Sequence, residues 1–181
     1  MRQISRFIYF IFGWKAEGGV PEGLEKAVFI IAPHTSNWDF YIGKFYTWIK
    51  RIPAKVLIKK EAFKWPLGGL LKSAGGIPID RSKANSKVVQ IVRMFKEKDQ
   101  FFLAITPEGK RKRSDHWKMG FYHIAMEAKV PILLCYIDYK DKVAGVGPPF
   151  WPTGDVEKDM KEIEDFYRGR HAKYPEYFNL S

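Results

Sequence analysis

Two residues in the stretch VFIIAPHTSNWDFYIGK, residues 28–44, have types and spacing that could do chemistry: His34, and Asp39 five positions later. A carboxylate bonded to one ring nitrogen of an imidazole fixes its tautomer and stabilises the imidazolium, leaving the other nitrogen to take a proton. Residues five apart on an α-helix are rotated by roughly 500°, so the two do not share a helical face. Direct contact therefore requires His34 in the turn before a helix and Asp39 in that helix's first turns. Pro33 ends the apolar run, and Thr35 or Ser36 can cap the helix. With no serine or cysteine nucleophile paired to it, such a base would act on a hydroxyl of the substrate. Metal binding fits less well, because His116 and His123 lie elsewhere and no His, Cys and Asp cluster has ligand spacing. A histidine and aspartate at this spacing, taken alone, can also be a hydrogen-bonded structural pair.

A second group lies in TPEGKRKR, residues 106–113. Glu108 and Gly109 there are followed by the basic run 110–113, which has a bland reading as a solvated turn. Lys118 reads as solvated. Cys135, the single cysteine, sits inside the apolar run VPILLCYID; it reads as a buried small hydrophobe, with no disulfide possible within the chain and a reducing compartment as the default.

The elements that must position these residues follow from periodicity. Apolar runs at 26–33, 54–60, 77–80, 100–106 and 130–139 read as strands. Helical spacing marks 38–50, 66–76, 82–99, 116–129 and 152–169, with Ser82 or Asn85 as candidate caps of the third. Residues 16–23 read as a loop by their Gly and Pro. Strands alternating with helices imply an α/β fold, a single domain with a largely parallel or mixed central sheet flanked by helices. In such sheets ligands gather at the carboxyl ends of strands, and His34 and Glu108 both stand just past one.

The chain of 181 residues is 46% hydrophobic and 28% charged, enough for one domain with a real core. Its net charge of +11 is uneven: residues 1–100 carry 18 basic and 8 acidic side chains, residues 101–181 carry 13 and 12. A basic face should meet something anionic, whether nucleic acid, lipid headgroups or a phosphorylated ligand. No apolar run approaches the roughly 18 residues that span a bilayer. Arg2 and Arg6 bracket the start of an aromatic-rich stretch ending FIYFIF, so residues 1–24 are expected to form an amphipathic, interfacial segment; a first helix packed on the core is the bland alternative.

The sequence resembles the glycerophospholipid acyltransferases, the family of 1-acyl-glycerol-3-phosphate acyltransferase. PHTSNWD (33–39) is similar to its His-x4-Asp motif, GGIPIDR (75–81) to its second, TPEGKRKR to its third and KVPILLCYI (129–137) to its fourth, in the family's order over residues 25–140. Lys110 stands where the family has threonine or serine, Thr106 replaces the usual phenylalanine, and the fourth motif lacks its second proline. The resemblance implies that His34 is a general base deprotonating an acceptor hydroxyl, oriented by Asp39. It implies that Arg81, Glu108, Gly109 and Arg111 bind the acceptor, and that residues 25–181 form the acyltransferase domain. On that resemblance the arginines present planar forks to the acceptor's phosphate, and Gly109 lets the backbone turn and approach. Glu108 would then pair with an arginine or a substrate hydroxyl, because it would not face the phosphate unshielded. The donor would be acyl-CoA or acyl carrier protein, with no further cofactor and no metal. The acceptor would be a lysophospholipid, most simply lysophosphatidic acid, with an acylated amino acid as the alternative. The expected place is peripheral, on an anionic membrane surface at the cytoplasmic face. A non-catalytic basic domain is the competing class, and no nucleic-acid motif supports it.

Overall fold

β-branched and aromatic runs pack well on a pleated surface and send alternate side chains to opposite faces. In the computed structural model, which describes residues 1–64, 67–79 and 84–180, that alternation builds two cores around one sheet. β2 (Lys26–Ile31) directs Val28 and Ile30 to one face, and Ala27 and Phe29 to the other. β5 (Phe101–Ile105) does the same with Phe101 and Leu103 against Phe102, and β6 (Ile132–Asp138) with Ile132 and Leu134 against Leu133 and Cys135.

The other strands are β1 (Lys15–Gly18), β3 (Ala54–Lys59), β4 (Gly76–Ile79) and β7 (Val143–Phe150), and the sheet order is β1-β7-β6-β2-β5-β3-β4. Every pairing is parallel except β6 with β7. The fold is thus a single α/β domain with a mixed sheet. The first core is covered by α4 (Ala84–Glu97), α5 (Gly120–Ala128) and α6 (Val156–Tyr167), through residues such as Phe95, Phe121 and Ile163. The second lies under α1 (Arg2–Phe12) and α2 (Trp38–Lys50), which contribute Tyr9, Ile42 and Tyr46. α3 (Leu67–Ser73) precedes β4.

β2 lies between β5 and β6, in register from Lys26↔Phe101 to Ile30↔Ile105 and from Val28↔Ile132 to Ile31↔Cys135. Three neighbouring carboxyl ends therefore open on one place, and His34, Glu108 and Tyr139 follow them.

Two strands depart from the sequence expectation. β1 occupies residues read as loop; it is four residues long, exposed, and defined by pairing with β7. β7, VAGVGPPF, carries two glycines and two prolines. Its Gly145 lies against the Tyr136 ring, where a Cβ would come within 2.5 Å of the hydroxyl. Pro148 and Pro149 fall beyond the stretch paired to β1, where a missing N–H costs the sheet nothing on that side. α5 starts at Gly120 rather than 116, because residues 116–119 form turns that bury Trp117.

α1 is turned against its own polarity. Ser5 and Tyr9 face the protein, the latter donating to the Ile42 carbonyl at 2.8 Å, while Ile4, Phe7, Ile11 and Phe12 are exposed and Phe10 is 81% exposed. Among the described residues no helix is long and apolar enough to cross a membrane.

Candidate functional site

Asp39 is the second residue of α2, where the helix dipole and free N–H groups favour a carboxylate. Its Oδ2 accepts the backbone N–H groups of Thr35 at 2.9 Å and Ser36 at 2.8 Å, and stands 3.2 Å from His34 Nδ1. Its Oδ1 accepts the Tyr139 hydroxyl at 2.6 Å. A carboxylate only accepts, so Nδ1 is the nitrogen that carries hydrogen and Nε2 is the free base. The expected arrangement is thus present: His34 in the turn before α2, Asp39 in its first turn. The capping differs in detail. Asn37 holds the helix boundary without a side-chain bond, and Ser36 Oγ accepts the Trp38 N–H at 3.1 Å.

Glu108 faces inward. Its Oε1 accepts the His34 N–H at 3.1 Å, its Oε2 has no hydrogen-bond partner among the described residues, and the residue is 2% exposed. Among the described residues no arginine, the first of its two expected partners, pairs with it; it ties the turn after β5 to the turn after β2. Burial pushes its carboxyl up to about 7, Asp39 adds to that, and the His34 N–H opposes it.

That shift has a thermodynamic consequence. Between an ordinary value of 4.5 and about 7, the folded protein holds a proton that the unfolded chain has released. Stability therefore falls as pH rises through that window, by up to about 3 kcal/mol, and is level above it. Glu108→Gln is expected to lose this slope and to be the more stable protein at pH 8. Urea unfolding of both proteins at pH 5 and pH 8 checks it, and parallel pH dependences would contradict it.

Gly109 closes the next turn, its N–H donating to the Thr106 carbonyl at 3.1 Å with φ at 69°, a left-handed value that favours glycine. Lys118, read as solvated, is exposed but lies across this turn: its N–H donates to the Pro107 carbonyl at 2.8 Å, and its Nζ would stand 2.6 Å from a Cβ at Gly109. Arg111 is exposed. Arg81, Trp65 and the candidate cap Ser82 lie outside the described residues, as does the side chain of Asn85.

His34, Asp39, Gly109, Arg111 and Lys118 line one cavity of about 740 Å³. It continues under α2, where Phe40, Gly43 and Tyr46 look onto Ala54, Ala104 and Ile137 of the sheet. A smaller cavity of about 410 Å³, between Gly18–Pro21 and Lys50–Pro53, shares no residue with it. Cys135 lines the larger one, but burial pushes its thiol up, so it behaves as a small hydrophobe.

The segment after α6 returns across the site. Tyr139 N–H donates to the His171 carbonyl at 2.8 Å, Tyr174 N–H to Thr35 Oγ1 at 3.2 Å, and Trp117 Nε1–H to the Asn179 carbonyl at 3.0 Å. Sequence reasoning missed Tyr139. The available signal was its place one residue past β6, matching the place of His34 and Glu108 past their strands.

A family model described as Acyltransferase matches residues 17–138, a span that includes His34, Asp39, Glu108, Gly109 and Arg111. No curated protein matches the chain. Among solved structures, the chain is similar to PlsC, the 1-acyl-sn-glycerophosphate acyltransferase from Thermotoga maritima, with 15% identity and a TM-score of 0.60. That likeness covers 91% of this chain and 74% of the other, and at this identity it is a likeness of fold.

Proposed function

The chain belongs to the Acyltransferase family and is an acyltransferase, and from that premise we propose that it moves a fatty acyl group from acyl-CoA or acyl carrier protein to the hydroxyl of a lysophospholipid, most simply 1-acyl-glycerol-3-phosphate. The observation that carries this reading is His34, held at Nδ1 by Asp39, with Nε2 free, in the wall of a cavity that is cationic at Arg111 and Lys118 and apolar beneath α2. His34 Nε2 removes the proton of the acceptor hydroxyl as its oxygen attacks the thioester carbon. The tetrahedral intermediate collapses with loss of the thiolate, which takes the proton back from the imidazolium. The Asp39 charge stabilises that imidazolium while it exists. No covalent acyl-enzyme and no cofactor beyond the donor are required. Arg111, with Arg81 and the Gly109 turn, holds the acceptor phosphate; Glu108 supports the His34 backbone from below. The acyl chain occupies the apolar part of the cavity.

The test is incubation of purified protein with palmitoyl-CoA, and in parallel with palmitoyl-acyl carrier protein, and a panel of acceptors: lysophosphatidic acid, other lysophospholipids and monoacylated amino acids. Thiol release is followed and the lipid product identified. Transfer to lysophosphatidic acid supports the reading. Transfer only to another acceptor moves the substrate, and silence with both donor types removes the assignment.

The same reading places the protein at the cytoplasmic face of a membrane as a peripheral protein. The outward apolar residues of α1 would enter the headgroup boundary, while Arg2 and Arg6 meet anionic lipid. Replacing both Phe7 and Phe10 by Glu is expected to weaken binding to phosphatidylglycerol vesicles by more than about tenfold, since each buried aromatic side chain contributes about 1.5–3 kcal/mol. Vesicle sedimentation measures it, and unchanged binding would separate α1 from the membrane.

A further inference from the structure

We propose that Tyr139 is a positioning residue of this site: its hydroxyl fixes the carboxylate of Asp39, and through it the ring orientation of His34 and the charge that ring faces. The proposal rests on the reading of His34 and Asp39 given above.

The two oxygens of Asp39 are unequally engaged. Oδ2 takes three contacts, from Thr35 N–H, Ser36 N–H and His34 Nδ1. Oδ1 takes one, the Tyr139 hydroxyl at 2.6 Å, a length typical of an O–H donor on a charged acceptor. The three contacts on Oδ2 all come from the turn at 34–36 and already resist rotation about the Cβ–Cγ bond. The donor on Oδ1 comes from beyond β6 and adds an independent hold on the other oxygen.

Tyr139 is itself held from several sides. The Trp14 ring meets it edge-on, with centroids 5.3 Å apart and planes at 88°. Its N–H is bonded to the His171 carbonyl, and Lys173 Nζ lies 5.9 Å from its ring. Burial, the bond to Asp39 and the Asp39 charge push its hydroxyl up, so it remains a donor. The donor has a second effect. It draws charge from the carboxylate, and without it more negative charge would face His34 and favour the imidazolium.

Tyr139→Phe keeps the ring against Trp14 and removes the hydroxyl alone. Its kcat and KM are measured from pH 5.5 to 9 against the intact protein. The low-field proton resonance of the His34–Asp39 bond, assigned by its loss in His34→Ala, is recorded for both. The expected result is a fall in kcat of about 10- to 100-fold, KM for donor and acceptor within about twofold, an acid limb of the kcat profile moved to higher pH, and a shifted resonance. A wild-type kcat and pH profile, or an unmoved resonance, overturns the proposal. A thermal melt confirms folding. If the Phe variant does not fold, ortho-fluorotyrosine at 139, a stronger donor of nearly the same shape, must shift the resonance relative to the intact protein, and no shift overturns the proposal. The resonance needs no substrate: if it moves while the intact protein transfers to no acceptor, the positioning role stands and the acyl-transfer reading falls.

Discussion

His34→Ala lowers kcat for acyl transfer by about 10²- to 10⁴-fold, the magnitude expected when a positioned general base is removed. The loss should be catalytic rather than structural. The His34 side chain is 15% exposed, lies outside both hydrophobic cores, and its ring contact is only one of four on Asp39. The backbone N–H that Glu108 accepts is unaffected by the substitution. The melting temperature is therefore expected to stay within a few degrees, and added imidazole should restore part of the rate by entering the space left by the ring. Thiol release, product identification and a thermal melt on the same preparations check all three. A variant retaining more than about a tenth of wild-type turnover would fall short of the contribution a general base makes and would remove His34 from the chemistry.

Asp39→Asn is the second large effect, and it acts on both rate and stability. The carboxylate accepts from four donors. An amide keeps one acceptor oxygen and presents an NH₂ where the other stood, so at least one contact is lost and the charge facing His34 disappears. A fall in kcat of about 10²- to 10⁴-fold is expected, since the imidazolium is no longer stabilised and the ring is less well held. The change should also cost about 1–3 kcal/mol of stability, because partners of a 3%-exposed group lose their acceptor. Steady-state kinetics and urea unfolding report the two effects separately. Near-normal turnover with a large stability loss would make Asp39 a scaffold residue only.

The parts of the molecule legible in the sequence were those whose signal is local. α2 is present over the expected residues 38–50, because its apolar spacing and the Pro33 boundary are both local. β2, β5 and β6 were readable as apolar runs, since both faces of a central strand are buried. The His34–Asp39 contact followed from the geometry of a turn before a helix. β1 and β7 were not readable, because their pairing joins residues more than 120 positions apart and neither has clean alternation. The direction in which Glu108 points was not readable either. A carboxylate beside KRKR is open to an arginine or a substrate hydroxyl, and only the fold shows that it turns under the His34 backbone. Tyr139 reaches Asp39 only because β6 lies beside β2, a fact of strand order that no stretch of sequence contains.

Among the described residues the segment after α6 holds no long helix or strand. It is held by bonds from His171 to Tyr139 and Asp138, Tyr174 to Thr35 and Asn179 to Trp117, by Arg170 over the Tyr136 ring, and by Phe178 and Leu180 against the first core. Segments without long regular structure of their own open locally, below the free energy of global unfolding. When this one lifts, Thr35 and Tyr139 lose partners together. The Tyr139 amide should then exchange with solvent in step with those of His171 and Tyr174, and not with the protected strand β2 that leads into the turn. A proteolytic cut in that returning segment would free the backbone of Tyr139 and the hydroxyl of Thr35 while leaving the strand pairing of the sheet in place.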